Sequence, residues 1–363
     1  MGDDFRATLG SVAVEALPVR KCVVTGGSGF VGIALVRRLL AEGCAVTVYD
    51  LGDPNAPDIK NDIVFVRGDV RDRDGLRTAA RAADAFFHIA AMVPLTRAGK
   101  GFWEVNVGGV ENAVDAALSA GVGHFVHLSS SAIYGIPATL PVTESTAPTP
   151  LGEYGRSKLA GERAAQRARD RGLKVAVIRP RTVVGPGRLG IFDLLFEWIR
   201  GGRPIFMLGS GNKPFQLLSN RDLAEAMLLA NRTQADGEFN VGTDRFTTLR
   251  QDLNHLAEAV ASRSRMVSIP SWLARPGLQA LDWLRLSPLV DWHYKTIDKE
   301  FWFDIQRAQQ ILGWQPRDSN FEMLSQAFQW YVENRSAGEL SQGSTHRAPI
   351  SRGLFRVLSK GTK

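Results

Sequence analysis

The sequence predicts an α/β protein, a doubly wound parallel sheet with a smaller, mostly helical C-terminal lobe. Two observations lead to this prediction. Short apolar runs alternate with segments of helical periodicity between Arg20 and Pro180, an order typical of a parallel sheet covered by helices. A glycine-rich turn, Thr25 to Gly32, stands between the first apolar run and the first helical segment.

The elements follow in a regular order. Cys22 to Val24 predicts a first buried strand, and residues 30–42 have the apolar period of a helix. Further strands are predicted at Ala45 to Tyr49, Ile63 to Val66, Ala85 to Ile89, His124 to Leu128 and Val175 to Ile178. Helical segments fall between most of them, including residues 105–120 and 154–171.

The composition narrows the class of protein. The chain has 363 residues, of which 44% are hydrophobic and 22% charged, ordinary values for a globular protein. The net charge is +7, and the lysines and arginines are scattered among acidic residues, so we expect no nucleic-acid partner. Two cysteines, Cys22 and Cys44, form no disulfide framework, which favours a reducing compartment and a cytoplasmic location.

We expect no catalytic metal. Cys22 and Cys44 do not form a ligand pair of zinc spacing. His124 and His127 lie three apart on one predicted strand and therefore point to opposite faces. His88 ends another strand, where we interpret it as a satisfied buried histidine.

The glycine-rich turn predicts a dinucleotide site. Gly26, Gly29 and Gly32 have the spacing G-x-x-G-x-x-G, directly after a strand and at the start of a helix. Glycine lets the backbone approach a pyrophosphate, which is stabilised by the positive end of the helix. We therefore predict a Rossmann-like domain whose cofactor contacts also include Phe30 and Val31.

The ends of the later strands supply the rest of the predicted cofactor site. Asp50 follows the second strand, where a carboxylate can accept hydrogen bonds from a ribose 2′-hydroxyl and repel a 2′-phosphate. This favours NAD over NADP. The remaining residues that we assign to the cofactor are Asp69, Val70, Ala90, Ala91, Tyr154, Lys158 and Pro180.

Tyr154 and Lys158 predict proton transfer. Residues four apart share one face of a helix. A cation close to a phenol favours the phenolate, so the phenol can exchange a proton near neutral pH. Together with the glycine turn, this pair favours hydride chemistry on a nicotinamide cofactor.

Further motifs follow in a fixed order. They are Gly68 to Asp72, Asn106 to Gly109, Leu128 to Gly135, Arg179-Pro180, Gly185 to Gly187, Asp222 to Ala224 and Asn240 to Gly242. With the glycine turn and Tyr154 to Lys158, the chain resembles an extended short-chain dehydrogenase/reductase of the NAD-dependent epimerase/dehydratase type. The resemblance covers about residues 20–330 and is close to the 3-beta-hydroxysteroid dehydrogenase-like branch.

The resemblance implies a role for each residue of the catalytic set. Tyr154 is expected to be the general acid/base, and Lys158 to hold the nicotinamide ribose and lower the tyrosine pKa. Ser130 is expected to donate to the substrate oxygen, with its neighbours Ser129 and Ser131 left open as alternatives. Asn106 is expected to steady the local backbone. The resemblance also implies a homodimer formed through paired helices.

The substrate remains open between several classes. Many sugar-nucleotide members of the family carry an arginine that meets the diphosphate at the place where this chain has Phe215. We therefore expect a secondary alcohol or ketone of a lipid- or steroid-like molecule. A sugar-nucleotide epimerase/dehydratase, with Lys213 or Arg188 replacing that arginine, is the alternative. A non-catalytic dinucleotide sensor comes third.

These expectations divide the chain into domains. Residues 1–18 are expected to be a flexible leader, and residues 19–180 the NAD-binding domain, to which 216–247 return. Residues 181–215 and 248–335 are expected to form the substrate lobe, and 336–363 a disordered basic tail. A solvated segment and a weak peripheral contact with anionic lipid both remain open for the tail.

Overall fold

The computed structural model describes residues 20–93, 99–188, 191–270 and 299–336. The predicted leader and the tail beyond residue 336 lie outside these ranges, and so do residues 271–298 of the expected substrate lobe. Among the described residues, no helix combines the length and apolar character needed to cross a membrane.

The described strands are all short and pair in parallel. They are β1 (Lys21–Thr25), β2 (Ala45–Asp50), β3 (Ile63–Arg67), β4 (Ala85–His88), β5 (His124–Leu128), β6 (Lys174–Pro180), β7 (Thr182–Val184), β8 (Ile205–Leu208), β9 (Leu217–Ser219), β10 (Gly237–Val241) and β11 (Met266–Ile269). In this part of the chain, seven strands form one sheet in the order β10-β6-β5-β4-β1-β2-β3. The first six predicted strands correspond to β1–β6.

The helices include counterparts of the predicted segments 30–42, 105–120 and 154–171. They are α1 (Phe30–Ala41), α2 (Arg73–Ala79), α3 (Lys100–Trp103), α4 (Gly109–Ser119), α5 (Gly152–Arg167), α6 (Ile191–Arg200), α7 (Asn220–Arg232), α8 (Leu249–Ala259), α9 (Gln306–Leu312) and α10 (Asn320–Ser336). A π-helical turn, Glu104–Gly108, joins α3 to α4, and a 3-10 turn, Ser131–Tyr134, follows β5.

Both faces of the main sheet are covered, which explains the continuous apolar runs of its strands. One core cluster joins the sheet to α1 and α7 and includes Leu35, Val48 and Met227. A second cluster on the opposite face joins the sheet to α2, α4 and α5 and includes Phe86 and Ala113. The doubly wound fold is thereby confirmed.

The strand order reverses between β1 and β4, which are neighbours although β2 and β3 separate them in sequence. Crossovers from these two strands leave toward opposite sides, so a crevice opens at their carboxyl ends. Ligands of doubly wound sheets bind at this position. It is where Thr25 and His88 end their strands.

The second lobe has its own core. β7 pairs with β9 and β8 with β11, apart from the main sheet. A third cluster, which includes Phe196, Leu256 and Tyr331, packs α6, α8 and α10 together. Residues 216–247 were expected to return to the NAD-binding domain; β10 joins the main sheet, whereas β9 pairs with β7.

Candidate active site

The turn between β1 and α1 depends on two close backbone approaches. Gly26 has a φ of +72°, and a Cβ there would lie 2.7 Å from the Ala90 backbone nitrogen. A Cβ on Gly32 would lie 2.1 Å from the Gly26 carbonyl oxygen. The helix begins at Phe30 without a side-chain cap, so its N-terminal N–H groups suit a pyrophosphate.

Asp50 lies against this turn. Its Oδ2 accepts a hydrogen bond from the Ser28 backbone N–H at 2.9 Å, and its Oδ1 accepts from the Gly52 N–H at 3.4 Å. The carboxylate is therefore fixed beside the glycines, as a ribose-binding acid must be. Together with the glycine cradle, this arrangement fits a dinucleotide cofactor.

Asp69 and Val70 follow β3 at the same edge of the sheet. The Asp69 carboxylate accepts from the Arg71 backbone N–H at 2.9 Å and from its guanidinium at 2.6 Å, and this pairing lowers the pKa of Asp69. The Tyr49 hydroxyl donates to the Asp69 carbonyl at 3.1 Å, and Val70 is buried. The carboxylate of Asp69 is thus already paired with Arg71.

The segment after β4 is fixed by one amide side chain. Ala90 donates its N–H to the Thr25 carbonyl at 3.1 Å, which continues the β1–β4 pairing. Asn106 accepts from the Met92 N–H at 2.8 Å and donates to the Met92 carbonyl at 3.1 Å. Its amide also donates to the Ser157 hydroxyl at 3.0 Å. Asn106 therefore ties the strand end to helix α5.

Helix α5 brings Tyr154 to the end of β5. The Tyr154 ring lies edge-on to Phe102, with 6.0 Å between the ring centroids. Ser130 follows β5, caps the 3-10 turn by accepting from the Ala132 N–H at 3.2 Å, and hydrogen-bonds with the Tyr154 side chain. The serine and tyrosine predicted to act together are therefore adjacent in the fold.

Two opposing influences set the pKa of Tyr154. Burial raises the pKa, whereas the hydrogen bond with Ser130 and the positive charge of Arg188 lower it, and burial is the larger influence. Arg188 lies over the Phe30 ring at 5.6 Å, which places it at the mouth of the glycine turn. Sequence reasoning weighed Arg188 only as a replacement for a missing diphosphate contact.

Lys158 lies one turn further along α5 and is almost fully buried. Its Nζ donates to the Leu128 carbonyl at 2.7 Å, at the end of β5. Burial lowers the Lys158 pKa to about 8, and the negative charge of Glu162 opposes this shift. The expected action of Lys158 on Tyr154 and on a bound ribose stays a prediction.

Next to Ser130, Tyr154 and Lys158 lies a buried network of charged side chains. The Ser129 hydroxyl donates to Glu162 Oε2 at 2.6 Å, so Ser129 is committed to structure and Ser130 is left to face Tyr154. Arg179 pairs with Glu162 at 2.5 Å and donates to the Tyr134 hydroxyl at 2.6 Å. Sequence reasoning did not assign a role to Glu162, although it stands four residues after Lys158.

Two buried histidines lie next to this network. The His88 and His127 rings stack with 5.7 Å between centroids, and His88 Nδ1 hydrogen-bonds with the Thr25 hydroxyl at 2.9 Å. Burial lowers the pKa of His88 to about 3 and that of His127 well below its ordinary value, and the nearby charge of Lys158 adds to both shifts. Both imidazoles are therefore neutral at physiological pH.

Comparison with known proteins identifies the family. The family model described as the NAD dependent epimerase/dehydratase family matches residues 22–242. The chain belongs to this family. The match spans the glycine turn, the Ser130–Tyr154 pair and β10, and it confirms the resemblance inferred from the sequence motifs.

Relatives within the family have different reactions in their names. The uncharacterized protein y4nG of Sinorhizobium fredii is 39% identical and aligns over 94% of this chain and 86% of its own length. A UDP-glucose 4-epimerase of Mycolicibacterium smegmatis is 29% identical over 86% and 98% of the two chains. Human sterol-4-alpha-carboxylate 3-dehydrogenase, decarboxylating, is 26% identical over 85% and 88%.

Solved structures agree with the family fold. The UDP-glucose 4-epimerase of Thermotoga maritima, solved with UDP-glucose, superposes with a TM-score of 0.73 at 25% identity, covering 87% of this chain and 99% of that one. MoeE5, solved with UDP-glucose and NAD, gives a TM-score of 0.70 at 24% identity, covering 87% and 99%. Membership in the NAD dependent epimerase/dehydratase family makes the protein an NAD-dependent enzyme of the extended short-chain dehydrogenase type, and the expected cofactor is confirmed.

Proposed function

We propose that the protein transfers a hydride between NAD and a secondary alcohol or ketone of a lipid- or steroid-like substrate. NAD, when bound, supplies the hydride acceptor or donor. Ser130 donates a hydrogen bond to the substrate oxygen, and Tyr154 accepts or returns the hydroxyl proton. Lys158 holds the nicotinamide ribose. Gly26, Gly29, Phe30, Val31, Gly32, Asp50, Asp69, Val70, Ala90, Ala91 and Pro180 form the cofactor site.

The observation that supports this substrate class is the environment of Phe215. By the family resemblance, its position is the one at which we expect sugar-nucleotide members to have the diphosphate-binding arginine. Phe215 is partly buried against the core cluster that includes Phe196, and its backbone forms an isolated β-bridge with that of Phe301. Lys213, which was considered as a replacement, instead pairs with Glu300 at 3.6 Å on the surface. Neither Phe215 nor Lys213 therefore presents a free positive charge at the place where a nucleotide diphosphate would be bound.

The second candidate is NAD-dependent epimerisation or dehydration of a sugar nucleotide. The names of several relatives and the ligands of several solved structures favour it. The two candidates differ in net redox change, because an epimerase returns the hydride to its product. Only the first consumes added NAD.

The experiment compares the two classes on one preparation. The protein is incubated with NAD and either a panel of hydroxysteroids or UDP-glucose, and the absorbance of reduced nicotinamide is followed. The proposal expects reduced nicotinamide with at least one hydroxysteroid and none with the Tyr154→Phe variant. Formation of UDP-galactose without a net absorbance change, combined with no reaction of any steroid, would select the epimerase.

Further proposals concern the organisation of the molecule. We propose that residues 19–180 and 216–247 form the NAD domain, that 181–215 and 248–335 form the substrate lobe, and that two copies form a dimer in the cytoplasm. Light scattering of the purified protein tests the dimer. A tail contact with lipid is tested by sedimentation with anionic vesicles, with a chain truncated after residue 336 as the control.

A further inference from the structure

Two arginines lie near the end of β6, and the surroundings of Arg181 differ sharply from those of Arg179. Arg181 lies just beyond Pro180, with its backbone N–H donating to the Val241 carbonyl at 3.0 Å. Its side chain is buried, with 6% of the residue exposed. It therefore lies at the carboxyl edge of the sheet, one strand away from Ser130.

The Arg181 guanidinium lies on aromatic rings. Its central carbon is 4.1 Å from the Phe301 ring centroid and 5.7 Å from that of Phe303. Stacking on a ring face stabilises a cation and fixes the plane of the guanidinium, while the N–H groups at its edge stay available for an acceptor. The rings orient this side chain without neutralising it.

The described part of the chain provides no acidic partner for Arg181. Its Nε is buried without a hydrogen-bond acceptor, and no carboxylate of residues 20–93, 99–188, 191–270 or 299–336 pairs with it. Burial without a counter-charge lowers its pKa to about 9. Arg179, by contrast, has the Glu162 carboxylate and a pKa raised by it.

A buried cation without a counter-ion is costly, and cation–π contacts offset only part of that cost. Such a residue is expected where an anion arrives with a ligand. The aromatic support of Arg181 is continuous with the candidate active site. Phe301 lies edge-on to Tyr134 at 6.4 Å, and Tyr134 ends the 3-10 turn that Ser130 caps.

We propose that Arg181 binds an anionic group of the substrate, a carboxylate or a phosphate, on an otherwise apolar wall formed by Phe301 and Phe303. A guanidinium held flat by two rings can donate two parallel hydrogen bonds to either group. The inference rests on the proposed function and narrows it, because the substrate then carries a negative charge in addition to the reacting alcohol or ketone.

The test measures binding and is therefore independent of turnover. NADH-loaded protein is titrated with two matched pairs: cholate against its methyl ester, and UDP against uridine. Each pair differs by its anionic group. The variants are Arg181→Gln, Arg181→Lys and, as a charge-matched control, Arg232→Gln, which removes an exposed arginine at the far end of α7.

The wild type is expected to bind the anionic member of one pair at least about tenfold more tightly than its neutral counterpart. Arg181→Gln should abolish this preference, Arg181→Lys should retain part of it, and Arg232→Gln should leave it unchanged. Preference for cholate identifies a carboxylate site, and preference for UDP a phosphate site.

Two results would overturn the proposal. One is an anion preference of the same size in Arg181→Gln and the wild type. The other, which needs no variant and so does not depend on folding of Arg181→Gln, is the absence of any anion preference in the wild type for both pairs. If either result is found and the protein still transfers a hydride to an uncharged steroid, the proposed function stands and only this inference is rejected.

Discussion

The Ser129 hydroxyl donates a 2.6 Å hydrogen bond to Glu162, and this contact ties the serine run after β5 to the helix that carries Tyr154 and Lys158. Glu162 is also the counter-ion of Arg179, and both side chains are almost completely buried. One carboxylate thus fixes the relative positions of β5, β6 and α5. The separation between Ser130 and Tyr154 depends on it.

Substitution of Glu162 by Gln should therefore be severely destabilising. It leaves the Arg179 charge buried without a partner, and breaking a buried pair in this way costs about 3–5 kcal/mol. Urea unfolding gives the measurement. Asp58→Asn is the matched control, because its pair with Arg37 is half-exposed and worth at most about 1 kcal/mol. Equal effects of the two substitutions would show that the buried network does not hold the site together.

Replacement of Tyr154 by Phe should strongly reduce turnover while leaving NAD binding within about twofold of the wild type. General acid–base catalysis contributes about 10²–10⁴-fold, and the loss of kcat should fall in this range. Tyr331→Phe removes the same atom from α10, where the hydroxyl donates to Glu197 at 2.6 Å, and should keep full activity. A Tyr154→Phe enzyme with unchanged kcat would assign the proton transfer to another group.

Substitution of Asp50 by Ala should weaken the discrimination against NADP. The carboxylate lies beside the glycine turn, where it would accept hydrogen bonds from ribose hydroxyls and repel a 2′-phosphate. The ratio of the two dissociation constants is expected to change by at least about tenfold. Asp53→Ala, an exposed acid paired with Arg67, is the control. If the ratio is the same in all three proteins, cofactor choice resides elsewhere.

The buried histidine pair should make the fold sensitive to acid. The folded pKa values of His88 and His127 lie below the ordinary value near 6.5, so the unfolded chain binds more protons between about pH 3 and 6.5. The free energy of unfolding consequently rises with pH across this window. The contribution of the two histidines to it is lost as the pH falls through the same window.

The proton uptake of unfolding at about pH 5 measures this effect. His127→Phe is expected to take up about one proton fewer than the wild type, since one titrating group has been removed. Phe125→Leu changes the packing against His88 without removing a titrating group, and should keep the wild-type uptake. An uptake unchanged in His127→Phe would mean that this imidazole is already protonated in the folded protein.

The parts of the fold that were predictable depend on local patterns. β1–β6 are recognisable as short apolar runs because both faces of the sheet are covered. The glycine turn and the Tyr154–Lys158 pair are recognisable because their residues lie close together in sequence, within one turn and one helix respectively. The short pairs β7–β9 and β8–β11 were not predicted. These strands have only three or four residues, and they lie beyond Pro180, where the strand–helix alternation that marks the four-residue β4 weakens.

The missed parts of the site depend on contacts between distant segments. Arg179 meets Glu162 of α5 and Tyr134 of the turn after β5 because β6 pairs with β5. The sequence left Ser129 and Ser131 open beside Ser130, because it does not show which way each of three adjacent side chains points. The bond from Ser129 to Glu162 commits Ser129 to the buried network, and it can be seen only in the fold.

The order of the sheet also has a consequence for synthesis on the ribosome. β6 ends at Pro180, and its outer neighbour β10 begins at Gly237, after the first part of the second lobe. The nascent chain therefore exposes the unpaired edge of β6 while more than fifty further residues are translated. Bare strand edges invite pairing with other chains. Slowing translation between these strands should thus increase aggregation more than a pause after Val241.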